Sequence, residues 1–529
     1  MKKKWAYLVC ACLCAVMIFA AGCDKTPQGG TETGIQGTLT IMAFNGGYGL
    51  EWLRAAAGAY ERANDKVKVD IRTTVDPDTQ HTKVRSGLYV GDILYDTVVN
   101  NIDGRLGHYI DIKSVYEAKP KGETKTVTQK LGADYVDTYY KDCTGKYFSV
   151  PVFDAMYALH YNKTSLDIMF PGGWQLPVTT DELYALCQQV IGTGNVPFTY
   201  SLEVPYMDNL FDLFFAQLEG YESYLASTME FKVNGVEDTN GAALLNMPSR
   251  RIAVEEVERF YKRAANMTND STKSMDFVKA QAYFWGLGYG TDKKLAAFMM
   301  NGDWLYHEMD YLNEQKLADI RMMKTPITSR IADSCSSISG DIELAALVRA
   351  VDDEKAWEPN PPGVETITPV LNNSEYGYNV SEEDWYRIYN ARKIVRMAET
   401  QQLMMVPKTA KNYDLAQDFL IFMASDEACY YKSSALYGDT TSYNRSVQET
   451  TVLNEYIKSK QELTKDAKII MSVTPTKLVS KMPVIRLANT LPADLYDGKV
   501  LSIFDSESYK AQRLTIYKEE RIAAGLPVS

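Results

Sequence analysis

The segment GTLTIMAF at residues 37–44 reads as a strand that runs into a glycine-rich turn, Asn45-Gly46-Gly47-Tyr48-Gly49. Trp52, Ala56 and Tyr60 then recur at i, i+4 and i+8, the spacing of one helix face. Val67-Lys68-Val69-Asp70-Ile71 alternates apolar and polar positions, the period of a second strand. Strand, helix and strand in so short a stretch form a βαβ unit, which implies a mostly parallel sheet and a right-handed crossover. A third strand is predicted at residues 95–99. Residues 145–162 read as extended chain interrupted at Pro151.

A second α/β region follows. Pro177 precedes Thr179-Thr180-Asp181-Glu182, a capping-box pattern. It opens a helix with Leu183, Leu186, Cys187, Val190 and Ile191 on one face. The apolar run 295–300 leads into Asn301-Gly302-Asp303-Trp304, and residues 321–326 read as a strand stopped by Pro326. Residues 331–400 are less regular: a loop at 352–363, then a helix from Ser381 that carries Trp385 and Ile388. A helix over 412–424 carries Leu415, Ala416, Phe419, Leu420 and Met423. The tail after residue 450 reads as mostly helical with two looser strand-like pieces. No internal repeat is present.

The start of the chain has a different pattern. Lys2, Lys3 and Lys4 precede an almost wholly apolar run over residues 5–21. That length suits a signal sequence better than a membrane span. The run closes on Ala20-Ala21-Gly22 before Cys23, and this ending resembles the lipobox of bacterial lipoproteins, with Ala20 where Leu is usual. Cys23 is therefore the expected lipidation site, and an ordinary signal peptide or single membrane anchor is the plainer alternative. Residues 24–36 are polar and rich in Gly and Thr, the composition of a flexible tether.

The remaining body is too long for one common-sized core, so two or more lobes are expected. The formal net charge is −12, and −15 without residues 1–22, which hold three Lys and no acid. Such a balance argues against nucleic acid and against docking on anionic lipid. Cys10, Cys12 and Cys14 leave with the leader, and Cys143, Cys187, Cys335 and Cys429 are scattered, with neither metal-knuckle spacing nor a dense disulfide framework. Cys187, on an apolar helix face, reads as a small core hydrophobe. One disulfide is left open.

Motifs for chemistry are sparse. The four histidines, His81, His108, His160 and His307, show no metal-ligand spacing. The run GLGYGTDKK lacks the phosphate-loop pattern, and no G-x-S-x-G elbow occurs. No metal and no cofactor are expected. Paired carboxylates are common in so acidic a chain and leave a glycan-cleaving reading open.

Several ordered landmarks together resemble one family. They are the Cys23 lipobox, LTIMAFNGGYGLEWLRAAAGAYERAN with VKVDI, KYFSVPVFDAMYALHYNK, PVTTDELYALCQQV, LAAFMMNGDW followed by RMMKTPI, and NYDLAQDFLIFMASDEA. The chain is similar to the family 1 extracellular solute-binding proteins of bacterial ABC importers, the carbohydrate-binding branch. The resemblance implies an α/β, two-lobed periplasmic-binding-protein-like fold with a hinge and an interlobe ligand cleft. Residues 37–152 and 401–445 would form the first lobe, and 153–330 and 446–529 the second. Residues 331–400 would be a helical insertion between the lobes. Crossings are expected near residues 150–154, within 326–400, and near 440–450. The implied protein is a monomer, lipid-anchored on the outer face of the cell membrane, that captures a carbohydrate and hands it to ABC permease subunits. It would have no chemistry of its own. A surface glycan-cleaving enzyme and a receptor for a non-sugar solute are the alternatives.

A neutral sugar is recognised by aromatic platforms under its C–H faces and by planar polar groups on its hydroxyls. The chain has 36 Tyr and 7 Trp to supply platforms, although most must serve cores and surfaces. Asn45 and Tyr48 follow the first strand, and Asn100 the third, which places them at the sheet's carboxyl edge. Asp154 lies at the first crossing. Tyr206 follows Pro205 in the second lobe, beside Asn209, and Tyr437 comes late in the first. The resemblance sets Asp303-Trp304 under a sugar ring. The competing readings are a turn role for the asparagines, a hinge hydrogen bond for Asp154 and a core position for Trp304.

Overall fold

Leu39, Ile41 and Ala43 are wholly buried on one face of β1 (Gly37–Phe44), as the alternation requires. The computed structural model describes residues 35–96, 104–357, 380–398, 402–439, 443, 454–471 and 492–529, apart from residues 105, 143, 205, 207, 316, 524 and 525. The helix Glu51–Ala63 packs Trp52, Leu53, Ala56 and Tyr60 on that sheet. β2 (Val67–Thr74) then pairs in parallel with β1, Gly37 opposite Val67. β3 (Ile93–Asp96) lies parallel on the other side of β1, two residues earlier than expected, and residues 97–99 fall outside the description.

The extended stretch resolves into β4 (Val150–Pro151) and β5 (Met156–Asn162). Next come β6 (Val196–Phe198) and the hairpin of β7 (Lys232–Val233) and β8 (Val236–Glu237). They are followed by β9 (Ala296–Gly302), β10 (Ile320–Met323), β11 (Ile394–Met397), β12 (Leu403–Met405) and β13 (Lys468–Met471). The first sheet has the order β2-β1-β3-β12-β4, and the second β13-β11-β5-β9-β6, with β10 also beside β5. The molecule is thus two α/β lobes. The chain leaves the first at residues 152–155 and returns to it between β11 and β12. It leaves again between Tyr443, whose hydroxyl donates to the Pro151 carbonyl at 2.5 Å, and the helix Glu455–Thr464.

Each lobe has its own core. In the first, Trp52 meets Tyr95, and Tyr60 meets Phe419 of the helix Tyr413–Met423. In the second, the helix Asp208–Glu219 is buried nearly all round and packs on Pro248–Tyr261. The described parts of the range expected as an insertion between lobes, residues 331–357 and 380–398, are built into this second core. The helices Asp341–Asp352 and Glu382–Arg392 bury Leu344, Leu347, Trp385 and Ile388 beside Phe211 and Phe215, and β11 is a strand of the second sheet. Their apolar faces require cover, and the second lobe provides it. The caps read from sequence are made: Thr179 accepts from the Glu182 amide and Ser381 from the Asp384 amide. Cys187 is wholly buried on its helix face, and among the described residues Cys187, Cys335 and Cys429 form no disulfide.

His160 lies in the middle of β5, wholly enclosed, with Nδ1 2.9 Å from the Ala158 carbonyl and Nε2 2.9 Å from the Tyr456 hydroxyl. Burial pushes its pKa down to about 3. The folded ring thus refuses a proton that the unfolded chain binds from about pH 6.5 downward. Stability should fall as pH drops from about 6.5 towards 3, by up to ~1.4 kcal/mol per pH unit from this ring alone. Urea unfolding of the wild type and of His160→Gln at pH 7, 6 and 5 checks this. The variant should lose stability less steeply, by about one proton, and equal slopes would contradict the assignment.

Candidate interlobe site

The turns after β1 and β9 meet, and the site lies where they do. From the first lobe, the turn after β1 brings Gly47 and Tyr48. From the second, the turn after β9 brings Asp303 and Trp304, and the short helix Leu305–Glu308 adds His307 and Glu308. The Tyr48 hydroxyl donates to Asp303 Oδ2 at 2.7 Å, and the Gly47 amide donates to Glu308 Oε1 at 3.2 Å. Gly47 has a φ of +61°, and a Cβ there would meet the Trp304 side chain at 3.4 Å. The approach of the lobes at this point therefore depends on glycine.

Aromatic rings fill the space behind these contacts. Tyr48 stacks on Phe153 with centroids 4.6 Å apart. Trp304 meets Tyr157 at 5.4 Å, Tyr206 at 6.3 Å and Tyr48 at 6.5 Å, all edge to face. Only 3% of Trp304 is exposed, and it packs with the first lobe's core although its backbone belongs to the second.

A charged cluster lies beside the rings. Lys460, from the helix Glu455–Thr464, contacts Asp303 and holds Asp439 Oδ1 at 2.6 Å. Asp439 follows the helix Asp426–Ala435 of the first lobe, so this ion pair also spans the cleft. Asp303 Oδ1 accepts from the Met156 amide at 3.1 Å, and the Tyr456 hydroxyl donates to the Asp303 carbonyl at 2.7 Å. All three charged groups are at most 1% exposed. Burial lifts the Asp303 carboxyl above its ordinary range against the pull of Lys460. Burial would lift Asp439 as well, but Lys460 and then His307 hold it below that range. Burial opposes the charge of Lys460, yet Asp303 and Asp439 together keep its pKa above that of a free lysine. Burial also raises Glu308, against hydrogen bonds from Gln281 and the Gly47 amide.

The structure gathers Tyr48, Tyr206, Asp303 and Trp304 in one place. The Tyr437 ring is stacked 5.9 Å from His307, nearly parallel, on a backbone at φ +56°. Asn45 is set apart: it is exposed, and its amide donates to the Thr74 carbonyl, a turn role. Asn100 and Cys23 lie outside the described residues. Trp304, expected as an open platform, is packed among side chains, because with the lobes in contact the opposite turn covers it. Asp303 is already bound by Tyr48, Lys460 and the Met156 amide. Sequence reasoning missed Phe153, Tyr157, His307, Glu308, Asp439 and Lys460. For the last, Tyr456 and Lys460 at i, i+4 on one helix face were the available signal.

Asp154 is buried at the first crossing. It lines a cavity of about 270 Å³ with Val395 and Met397 of β11, Ile469 of β13, and Thr464, Asp466 and Ala467. The Tyr139 and Tyr221 hydroxyls both donate to the Ile469 carbonyl, at 3.1 and 3.2 Å. Among the described residues no cluster of three His, Cys, Asp or Glu suits a metal ion, and no helix is long and apolar enough to cross a membrane.

No protein-family model and no curated protein sequence matches the chain. Solved structures do match, along nearly its whole length. The chain is similar to the solute-binding protein RafE in complex with raffinose, at 14% identity and a TM-score of 0.57, over 92% of this chain and all of RafE. It is similar to the bacterial solute receptor AcbH, described as preferring β-D-galactopyranose, at 14% identity and a TM-score of 0.57, over 91% of this chain and all of AcbH. It is also similar to the ABC substrate-binding protein Lmo0181 from Listeria monocytogenes in complex with cycloalternan, at 13% identity and a TM-score of 0.55, over 93% and 100%. The fold is that of the two-lobed solute-binding proteins.

Proposed function

We propose that this chain is a solute-binding protein that captures a carbohydrate between its lobes and delivers it to an ABC permease. One observation carries the reading. In a fold shared with receptors for raffinose, galactopyranose and cycloalternan, five aromatic rings, Tyr48, Phe153, Tyr157, Tyr206 and Trp304, come together beside carboxylates where the lobes meet. Rings supply the flat apolar faces that sugar C–H surfaces need, and carboxylates accept hydroxyl protons in pairs. Lobe separation about the crossings would uncover these groups, and a sugar would take up the contacts that the lobes now make with each other.

Lipid anchoring at Cys23 and a place on the outer face of the membrane belong to the same proposal. They rest on the apolar run, the small residues before Cys23 and the tether. A binding role without catalysis is supported by the state of the buried carboxylates. Asp303 and Asp439 share the Lys460 ammonium and are not presented as an acid and a nucleophile across a substrate.

The test is thermal unfolding of residues 23–529 against a panel of gluco-, galacto-, xylo- and chito-oligosaccharides of one to six units. A true ligand at about 100 times its Kd adds roughly 2.7 kcal/mol of stability. Recovery of that sugar intact after long incubation is expected. Cleavage would favour the enzyme reading, and no shift with any panel member would refute carbohydrate capture.

A further inference from the structure

Beyond the interlobe cluster, the second lobe has an aromatic groove at the far end of β11. It encloses about 370 Å³, and its walls include Trp357, Trp385, Tyr386, Tyr389, Lys393 and Asp466. Trp385 is buried beneath, whereas Tyr386 is 49% exposed. The Lys393 ammonium lies 5.5 Å from the centre of the Tyr389 ring. Carboxylates stand at the rim on Glu354 and Asp466, and Lys465 ion-pairs with Glu354. Both acids have left-handed backbones, at φ +57° and +53°, a conformation that non-glycine residues adopt at a cost.

The groove and the cavity at the first crossing share a lining residue. Asp466 lines both, and β11 runs between them, with Val395 and Met397 on the cavity and Lys393 on the groove. From Lys393 to Met397 the chain covers ~13 Å, more than a single sugar ring spans. Half-exposed rings, flanked by carboxylates and an ammonium, repeat outside the cleft the chemistry that recognises a sugar.

We propose that this groove is an outer carbohydrate subsite. It grips the distal units of an oligosaccharide whose proximal unit lies in the hinge cavity beside Asp154. The inference rests on the carbohydrate reading above and makes it specific: the natural ligand is a chain of several sugar units that leaves the cleft past Asp466 and lies over Tyr386 and Tyr389.

Calorimetric titration of the same oligosaccharide panel, one to six units long, tests it. In wild type, affinity should rise with length. The double variant Tyr386→Ala/Tyr389→Ala should lose roughly 10-fold or more in affinity for sugars of four to six units. For one- and two-unit sugars it should stay within about twofold of wild type. Lys393→Gln, at a residue that lines the groove alone, should show the same length-selective loss and serves if the double variant folds poorly. Equal losses at every length, or none at any, would overturn the subsite. If no panel sugar binds the unsubstituted protein, the carbohydrate reading itself fails, and the subsite with it.

Discussion

Replacing Lys460 with Met should destabilise the protein by about 3–5 kcal/mol at neutral pH, the cost of removing one partner from a buried ion pair. The lysine is 1% exposed and stands between two carboxylates that are equally buried. Without it, Asp303 and Asp439 would face each other with only His307 beside Asp439 to offset their charge. Their pKa values would rise, and each would bind a proton more readily in the folded than in the unfolded state. A group of that kind gains stability as pH falls. The variant should therefore recover part of its loss between about pH 7 and 5, where the wild type weakens as His160 is pressed to protonate. Because Asp439 belongs to the first lobe and Lys460 to the second, the variant should also spend more time with its lobes apart. Denaturant unfolding at the two pH values and small-angle scattering measure these effects. A loss below about 1 kcal/mol with no acid rescue would show that the cluster matters little.

Trp304→Ala should cost about 3–5 kcal/mol of folding stability, in the range of large buried aromatics. Trp304 is 3% exposed and surrounded by Tyr48, Tyr157 and Tyr206. A Cβ on Gly302 would stand 2.2 Å from its indole, so the backbone beside it is fitted to the ring. Truncation leaves a cavity bounded by both lobes, which neither can close alone. Trp304→Phe should retain most of the stability. Chemical denaturation of both variants decides the matter. A small loss of stability for the alanine variant, together with a large loss of sugar affinity, would instead make Trp304 a platform that the ligand covers.

Local features were legible because they follow from spacing. The alternation at 37–44 and 67–71, the Thr179 and Ser381 caps, and the apolar stripe from Leu415 to Met423 each appear where the pattern requires. Other features were not local. The helix Asp208–Glu219 carries apolar side chains on almost every face, so it lacks the polar side that marks a surface helix. The charged cluster joins Tyr48, Asp303, Asp439 and Lys460 from four separate segments, and no periodicity links them. Residues 331–400 looked irregular for a related reason. Their helices are complete only against partners far away in the chain, such as Phe211 and Phe215.

The origin of β12 and β13 also bears on how this chain reaches its native state. β12 supplies the strand between β3 and β4, and β13 the strand outside β11, so each sheet awaits residues made long after its first strands. Until residues 403–405 arrive, β3 presents an unpaired edge, and until residues 468–471 arrive, so does β11. Pairings so distant in sequence impose large loop-closure entropies and slow folding. Neither lobe exists as a contiguous piece that could be excised and refolded by itself. A chain released short of residue 471 would keep open strand edges and be prone to aggregate. The late strands that complete each sheet thus bind the two lobes into a single folding event.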